Sequence, residues 1–462
     1  MALCLGDSAM EKYIDSQGFH KAVLEERAKA AIVTGFSLTE GGSMSPLLTL
    51  LLGAMLCPHI LGLSGGTAEP ETVTPEDPNN RTVTSTYSLA HSNTDFAFSL
   101  YKLLATQKPE NNVIFSPFSV SAALALLALG ARSTTKTEIL QGLKFNLTQT
   151  PEAEIHQGFQ LLLSHLSRPG THLQLNMSTA IFVDQQLHLV ESFQQEAQTL
   201  YTADAFPTNF QDPPAAEKLI NDYVKQKTQG KIQELVKDLD AETMMVLVNC
   251  LFFKAKWKAP FDPHDTITMN FHVNESRVEK VPMMTAEDTQ VLYFRDEARG
   301  STLVQLPYSD SRACALFILP DQGRMAELEA ALNPSTFQHW RDSMSTRIID
   351  LKLPKFSISG EYDLEKNLPD LGIHEVFSKQ ADLTGLTGSQ NLHVSQVVHK
   401  ARLDVAENGT EAAAATGIHL VFTSAKWDQT IVTFNRPFLV TLISEDTQGF
   451  LFLGKVANPL QA

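Results

Sequence analysis

Four near-continuous apolar runs in the second half of the chain constrain its fold more than any other feature. They occupy residues 246–253, 313–319, 437–443 and 450–456. Apolar runs of this length, bounded by turn-forming residues, are typical of buried β-strands. Helical spacing of apolar residues predominates nearer the N-terminus, and helices and strands do not alternate regularly. We therefore expect an α+β fold in one large domain.

The composition excludes several classes of protein. The chain has 462 residues, of which 43% are hydrophobic, with a formal net charge of -16 and 4 cysteines. A chain this long and this apolar can bury a large core, so neither wholesale disorder nor a disulfide-stapled miniprotein fits. The acidic balance argues against a protein that chiefly binds phosphate backbones. Cys250 and Cys314 both lie in apolar runs, where we expect inert, buried thiols.

Local signals place the first helices and several further strands. We predict a helix through Phe96 and Leu104 that begins at Ser92 or Asn93, a second that opens with a capping box at residues 135–138, and a third over 152–166. β-rich runs follow at 180–183, 243–256, 348–353 and 394–405, ahead of the C-terminal pair.

The N-terminal region has the organisation of a processed precursor. Residues 45–56 form an apolar stretch followed by Pro58 and small residues, which is typical of a secretory signal. We expect residues 1–43 to be an upstream extension, 44–66 the signal peptide, 67–90 a disordered leader and 91–462 the folded domain. Internal use of the apolar stretch as a weak anchor stays open if Met1 starts the chain. No later segment is apolar enough to span a bilayer.

Five Asn-x-Ser/Thr sequons accompany this signal, which predicts a secreted glycoprotein. They lie at Asn80, Asn146, Asn176, Asn274 and Asn408. By contrast, the chain lacks the Gly-x-Ser-x-Gly, His-Glu-x-x-His, Walker A, dinucleotide-binding and Cys-x-x-Cys motifs. These absences favour a binding or regulatory role over catalysis, and we expect no metal or other cofactor.

The most informative segment is ENGTEAAAATGIHLVFTS at residues 407–424. It lies between two strand-like runs and is bracketed by Gly409 and Gly417, which favours an exposed loop over an Ala-rich helix. If it is extended, alternate residues place small, uncharged side chains on one face and Glu411 on the other. This pattern is typical of a segment that can enter an existing sheet with one face buried.

Several motifs resemble those of the serpin family, in the family's order. GTEAAAAT at 409–416 is similar to the hinge of an inhibitory serpin, and FNRPFL at 434–439 resembles the family signature. Further matches are NVIFSP at 112–117, LVN at 247–249, FKAKW at 253–257, LPKFSI at 353–358 and VHKA at 398–401. The resemblance covers about residues 91–462 and is nearest to the secreted antichymotrypsin-like group, which has segments similar to 219–225 and 340–343.

The resemblance implies a serpin fold, in which helices are followed by three β-sheets and a reactive-centre loop, here about 407–429. It also implies an inhibitor of serine proteases that is cleaved in this loop and traps the protease as the loop enters the large sheet. The hinge would comprise Glu407, Gly409, Thr410, Glu411, Ala412, Ala413, Ala414, Ala415 and Thr416.

The reactive bond has two candidate positions. The family's count from Glu407 puts it between Thr423 and Ser424, where Thr423 favours an elastase-like protease. Cleavage one bond earlier, between Phe422 and Thr423, would favour a chymotrypsin-like protease. The absence of Lys or Arg between Glu407 and Lys426 argues against a trypsin-like target.

Other positions are implied to support opening of the sheet. Lys355 is expected to pair with Glu407 near Trp257, and a polar cluster is expected from Ser116, Ser119, Asn249 and His399. A glycan on Asn408, within the hinge, would obstruct insertion, so we expect the inhibitory form to lack it.

Two alternatives concern partners. A non-inhibitory serpin that carries a small apolar ligand is the competing function, although the intact alanine run argues against it. Lys225, Lys227 and Lys231 form a basic stripe that could contact heparin or DNA, although a solvated helix face explains it as well. We expect a secreted monomer without membrane contact.

Overall fold

A computed structural model describes residues 78–168, 173–410 and 430–461. Four predicted features lie outside this part of the chain: the upstream extension, the signal peptide, the leader as far as residue 77, and residues 411–429 of the reactive loop.

The longer helices occur mainly in the first half of the described chain. They are α1 Pro78–Gln107, α2 Pro117–Gly130, α3 Ser133–Gly142, α4 Glu152–Leu166, α5 Glu191–Tyr201, α6 Pro213–Lys227, α7 Met325–Ala331, α8 Pro334–Ser343 and the single turn α9 Thr384–Thr387. Short 3₁₀ turns occur at Pro263–Asp265, Leu364–Lys366, Leu368–Leu371 and Glu375–Phe377. The bounds predicted for α4 are confirmed.

The first helix begins earlier than predicted. It starts at Pro78, so residues 78–90 are helical rather than part of a disordered leader. Asn93 does not cap the helix, because its Oδ1 accepts a hydrogen bond of 2.6 Å from the Ser121 hydroxyl of α2. A tertiary contact thus uses the polar side chain that the sequence pattern assigned to a helix start.

The capping box predicted at residues 135–138 is also wrong. Helix α3 begins at Ser133, and no side chain caps it. Thr135 Oγ1 instead accepts a hydrogen bond from the backbone N–H of Asp382. Glu138 accepts backbone N–H groups from His374 and Glu375. Both polar side chains therefore fasten α3 to the 374–382 segment.

Fourteen strands are described, and three of them lie among the helices of the first half. They are β1 Val113–Phe115, β2 Leu173–Asp184, β3 Asp204–Thr208, β4 Met245–Ala255, β5 Ile267–His272, β6 Val278–Asp296, β7 Ser301–Pro307, β8 Ala313–Pro320, β9 Ser345–Pro354, β10 Phe356–Asp363, β11 Gln396–Val405, β12 Thr430–Thr433, β13 Phe438–Ser444 and β14 Phe450–Val456. The predicted order of helices first and strands later is therefore only approximate.

The strands form two hydrogen-bonded sheets in the part of the chain described. One has five strands in the order β10-β11-β4-β2-β3, and the other has nine along the path β1-β14-β13-β8-β7-β6-β9-β12, with β5 also paired to β6. The resemblance to serpins implies three sheets. The long strand β6 pairs with β5 and β9 along most of its length and with β7 at its end, so it joins two layers into one hydrogen-bonded unit.

Helix α2 packs against the five-stranded sheet. Its sequence is apolar on nearly every face, and almost all of its residues are buried. Pro117 occupies the first turn, where a missing N–H costs nothing, and the Ser116 hydroxyl caps the helix by accepting the N–H of Ser119. This geometry places Ser116 and Ser119 beneath β4 and β11.

The core follows this arrangement. A large apolar cluster packs the helices against both sheets, a second fills the space between the sheets, and a third lies under α6. Cys250 and Cys314 are buried and unpaired, as expected. Burial raises the pKa of the Cys250 thiol to about 12, which disfavours the reactive thiolate. Among the described helices, none is long and apolar enough to cross a membrane.

Candidate functional site: a partly opened sheet and the hinge at its end

The five-stranded sheet is split at one end, between β4 and β11. These strands pair in parallel from Gln396 and Val246 to Ala401 and Leu251. Beyond that point the ladder between them stops, although β4 remains paired with β2 as far as Ala255, and β11 with β10 as far as Val405. The two strands therefore part over residues 252–255 and 402–405. Such a split is the geometry that a new strand would need in order to enter the sheet.

The hinge begins as a tight turn at the mouth of this split. Ala406 and Gly409 exchange two backbone hydrogen bonds, of 2.8 and 3.1 Å. Trp257 fixes the turn from outside, since its backbone N–H donates to the carbonyl of Asn408 and its indole N–H to the carbonyl of Ala406, each at 2.9 Å. Phe261 N–H donates to the Glu407 carbonyl at 2.9 Å. The turn is thus hydrogen-bonded to the segment that follows β4.

Gly409 allows the hinge to approach β4 closely. Its φ is +139°, in a region that favours glycine, and a Cβ at this position would lie 2.0 Å from the carbonyl oxygen of Ala255. A side chain at residue 409 would therefore push the hinge away from the strand.

Thr410 already occupies the first position along the open edge of β4. Its N–H donates to the Ala255 carbonyl at 2.8 Å, and its hydroxyl accepts the Ala255 N–H at 2.6 Å. Thr410 is 4% exposed. The rest of the predicted hinge (Glu411, Ala412, Ala413, Ala414, Ala415 and Thr416) and the candidate bond residues Phe422, Thr423 and Ser424 lie outside the described residues.

A carboxylate fastens the turn to two neighbouring segments. Glu407 Oε2 accepts from Lys355 Nζ at 2.9 Å, and its Oε1 accepts from the Thr266 hydroxyl at 3.1 Å. Partial burial alone would raise the pKa of Glu407, but the hydrogen bonds and the charge of Lys355 outweigh it and hold the pKa below its usual value. The structure brings Lys355 and Glu407 together as the resemblance implied. Thr266 carries no local sequence signal and was not predicted.

An aromatic pair lies beside this turn. Trp257 stacks on Tyr308 with ring centroids 4.4 Å apart and planes inclined by 9°. The Tyr308 hydroxyl is buried without a hydrogen-bond partner. The stack holds the indole where its N–H meets the turn.

A second polar cluster lies where β4 and β11 are still paired. His399 on β11 faces Asn249 on β4, and its Nδ1–H donates to Asn249 Oδ1 at 2.9 Å. Its Nε2 accepts the backbone N–H of Ser116 at 3.0 Å. The Ser119 hydroxyl also donates to Asn249 Oδ1. The four predicted residues therefore meet in one network.

This network requires a neutral histidine. Complete burial lowers the pKa of His399 to about 3, and Nε2 must be unprotonated to accept an N–H. Asn249 Nδ2 donates to the Thr179 hydroxyl of β2 at 3.1 Å, so the network reaches a third strand. Thr179 was not singled out by sequence reasoning, because a threonine within a strand is unremarkable until its partner is known.

The sequons differ in accessibility. Asn146, Asn176 and Asn274 are exposed, whereas Asn408 is 9% exposed. Asn80 lies near the start of α1.

The basic stripe predicted from the sequence lies at the protein surface. Lys225, Lys227 and Lys231 are all exposed, and Lys227 also pairs with Asp204 at 3.3 Å and lies over the Tyr223 ring. No cluster of His, Cys, Asp and Glu suited to a metal ion occurs among the described residues.

The chain is similar to known proteins over nearly its whole length. A family model described as "Serpin (serine protease inhibitor)" matches residues 91–459. Serpin A3-8 of Bos taurus is 54% identical over 421 residues, which is 91% of this chain and 99% of that protein. Alpha-1-antichymotrypsin of Homo sapiens is 54% identical over 422 residues, with the same coverage of both chains.

Solved structures agree. Human thyroxine-binding globulin complexed with thyroxine is 40% identical with a TM-score of 0.78, over 81% of this chain and all of that one. Human glycosylated kallistatin is 42% identical with a TM-score of 0.76, over 82% of this chain and all of that one. These relatives confirm the predicted fold and the antichymotrypsin-like grouping, and the family model describes inhibitors of serine proteases rather than enzymes. The chain belongs to the serpin family.

Proposed function

We propose that this protein is a secreted inhibitor that traps an elastase-like or chymotrypsin-like serine protease by inserting its cleaved loop into the five-stranded sheet. The observation that carries this proposal is the split between β4 and β11 with Thr410 already hydrogen-bonded to Ala255 at its mouth. The names of the relatives, among them alpha-1-antichymotrypsin, support the same class of activity.

The chemistry belongs to the protease, since the inhibitor supplies only the substrate. The protease's serine attacks the carbonyl carbon of Thr423, the bond to the nitrogen of Ser424 breaks, and the protease's histidine protonates the departing amine. An ester then joins the protease to Thr423. In the alternative register the same steps occur at Phe422 and Thr423.

Insertion of the loop follows cleavage. Residues 411 onward would continue from Thr410 along the open edges of β4 and β11 and extend the sheet by one strand. As the parallel ladder below residues 401 and 251 separates, the protease attached to Thr423 is carried along and distorted before the ester can be hydrolysed. The small side chains at residues 412–415 suit this passage.

The sequon at Asn408 bears on this mechanism. Asn408 is largely buried, its carbonyl accepts the Trp257 N–H, and the hydroxyl of the sequon's Thr410 is engaged by Ala255. A glycan at this site would compete with the seated turn, so the inhibitory form carries none. Glycopeptide mapping of the protein recovered from a covalent protease complex tests this, and full occupancy of Asn408 would contradict it.

The central experiment is to incubate the full-length protein with chymotrypsin, cathepsin G, neutrophil elastase and trypsin. We expect an SDS-stable complex with one of the first three and none with trypsin. A released C-terminal peptide that starts at Ser424 assigns the bond to Thr423, and one that starts at Thr423 assigns it to Phe422. Cleavage by all four without a complex would refute inhibition.

Thr410→Arg provides a matched control. An arginine cannot occupy the buried position of Thr410 against β4, so insertion is impeded while the cleavage site is unchanged. We expect this variant to be cut at the same bond but to release the protease.

Carriage of a small apolar ligand is the alternative, and the likeness to thyroxine-binding globulin supports it. It requires no protease complex. Failure to form any complex, together with saturable binding of thyroxine, would favour the carrier.

A further inference from the structure

The turn over residues 406–409 contains a chemically labile pair of residues. Asn408 and Gly409 form the single Asn-Gly pair in the sequence. An asparagine that precedes glycine is especially prone to spontaneous deamidation, because glycine has no side chain to hinder its own nitrogen and readily adopts the conformations that ring closure needs. The labile pair therefore lies in the turn that holds the hinge at the mouth of the split.

The reaction is an intramolecular displacement at the Asn408 side chain. The backbone nitrogen of Gly409 loses its proton and bonds to Cγ of Asn408, and the side-chain nitrogen leaves as ammonia. Water then opens the cyclic succinimide. Attack at Cγ gives aspartate in an unchanged main chain, whereas attack at the main-chain carbonyl carbon gives isoaspartate, whose main chain is longer by a methylene group. Water is the only co-reactant, and ammonia is the only molecule released.

The seated turn opposes ring closure. The Gly409 N–H donates to the Ala406 carbonyl at 3.1 Å, so the attacking nitrogen is engaged. The Asn408 carbonyl accepts the Trp257 N–H at 2.9 Å, and Asn408 is only 9% exposed, which limits access of water. Ring closure turns the Gly409 nitrogen toward the Asn408 side chain and breaks its bond to Ala406. The reaction therefore requires the turn to open.

Neither product fits the seated turn. Ala406 and Gly409 exchange two hydrogen bonds across it, and the extra methylene group of isoaspartate separates these partners. Both products also place a new carboxylate at the largely buried position of Asn408, next to the carboxylate of Glu407. Burial of a second like charge there is unfavourable. The turn cannot close again as before, and Thr410 loses its place against β4.

We propose that Asn408 is a deamidation site, and that its conversion to isoaspartate or aspartate irreversibly disables the hinge. The seated turn delays the reaction, so the extent of deamidation reports how often the turn opens. The form without a glycan on Asn408 is the one whose side-chain amide is free to react. The modification is independent of the proposed function, whereas the loss of inhibition that follows from it rests on that function.

The test follows full-length protein, produced without glycosylation, during incubation at neutral pH and body temperature. Peptide mapping detects deamidation of Asn408 as a mass increase of about 1 Da. Labelling by isoaspartyl methyltransferase distinguishes isoaspartate from aspartate. A synthetic peptide of residues 404–412 gives the rate without the turn. Asn408→Gln is the control for the chemistry, because glutamine must close a larger ring and should show no change.

We expect deamidation to be about tenfold slower in the protein than in the peptide, since the native turn opens only transiently. Trp257→Phe removes the indole N–H that donates to the Ala406 carbonyl at 2.9 Å, and it should accelerate deamidation about fivefold. Trp340→Phe is the matched control. It also removes a buried indole N–H, which donates to Asp296 at 2.7 Å away from the hinge, and it should react at the wild-type rate.

Inhibition is measured on the same samples. When about half of the wild-type molecules are deamidated, the number of inhibitor molecules consumed per protease should roughly double, because the modified molecules are cleaved without trapping the protease. Asn408→Gln incubated in the same way should keep its initial value.

Several outcomes would overturn the inference. Equal rates in the protein and the peptide would show that the turn gives no protection, and an unmodified protein after complete reaction of the peptide would show that Asn408 is not a site. Equal acceleration in Trp257→Phe and Trp340→Phe would show a general loss of stability. Unchanged inhibition by deamidated protein would refute the effect on the hinge. Deamidation as expected, but with no protease complex from fresh protein, would refute the proposed function and leave the modification site intact.

Discussion

The two ends of the boundary between β4 and β11 are held by different contacts. At the closed end, backbone pairing is backed by a neutral network around His399 and Asn249, both at most 1% exposed. At the split end, pairing is absent, and the strands are spanned by the 406–409 turn, with a half-exposed Lys355 holding Glu407.

This difference has an energetic consequence. A buried network cannot exchange its partners for water, so removal of one member leaves the others unsatisfied. An ion pair at the surface is easily replaced by solvent and contributes little. We therefore expect the closed end to resist separation and the split end to open readily, which would let a strand enter from one direction only.

The strongest test of this comparison is Asn249→Leu. The substitution leaves the His399 Nδ1–H, the Ser119 hydroxyl and the Thr179 hydroxyl without their shared partner. We expect a loss of about 3 kcal/mol in the free energy of unfolding. This loss is measured by urea unfolding, as a shift of the unfolding midpoint to a lower urea concentration. Asn270→Ala, on the exposed face of β5, is the control and should change the free energy by less than about 0.5 kcal/mol. Equal effects of the two substitutions would contradict the comparison.

Acidification tests the same network without any substitution in it. The pKa of His399 is about 3 in the folded chain, so between its ordinary unfolded value near 6.5 and pH 3 the unfolded chain binds the extra proton. The contribution of neutral His399 to stability is therefore fully present above about pH 6.5. It falls as the pH is lowered, by up to about 1.4 kcal/mol per pH unit.

The control for this prediction is His399→Gln. The variant should be less stable at pH 7 but should lose less stability than the wild type between pH 6.5 and pH 4.5, because other titrating groups are common to both. Parallel pH profiles would mean that His399 does not carry the effect.

The sequence predicted several strands and helices better than it predicted the side-chain contacts that hold the fold together. The continuous apolar runs predicted β13 and β14 to within one residue, and the helical period predicted α4. These signals are local, because buried strands and amphipathic helices show their periodicity in consecutive residues. The family motifs added the Lys355–Glu407 contact and the His399 network, which the structure assembles.

The misses share a physical cause. Ser92, Asn93, Thr135 and Glu138 have the residue types of helix caps, yet their side chains are used elsewhere or lie within a helix. Thr179 and Thr266 complete the two clusters, although they are distant in sequence from their partners. A short polar side chain can satisfy a local or a distant backbone group equally well, and only the tertiary fold decides between them.

Gly409→Ala tests the turn at the split end. The added Cβ would meet the Ala255 carbonyl at 2.0 Å, and alanine disfavours a φ of +139°. We expect the hinge to leave β4 and the free energy of unfolding to fall by about 2 kcal/mol. Hydrogen exchange at the Ala255 amide, which is bonded to Thr410, should accelerate.

Gly230→Ala is the control, because Gly230 also has a positive φ but no atom lies within 4 Å of its added Cβ. Equal losses would show that backbone strain, rather than contact with β4, explains the effect.

The smallest effect is expected for Lys355→Met, which removes the charge and keeps the side-chain length. The Lys355 side chain is 39% exposed and that of Glu407 is 10% exposed, so solvent screens much of the pair. We expect the free energy of unfolding to fall by about 1 kcal/mol or less at pH 7.

The contribution of this ion pair depends on pH. Because the pKa of Glu407 is lowered in the folded chain, the contribution is present above the ordinary glutamate pKa near 4.5 and disappears as the pH falls through the lowered pKa. The wild type and Lys355→Met should therefore converge in stability at acidic pH. Lys366→Met, which breaks a more exposed pair with Asp363, is the control and should lose less stability at pH 7 than Lys355→Met. A Lys355→Met loss as large as that of Asn249→Leu would show that the split end is held as firmly as the closed end, and the proposed direction of strand entry would have no energetic basis.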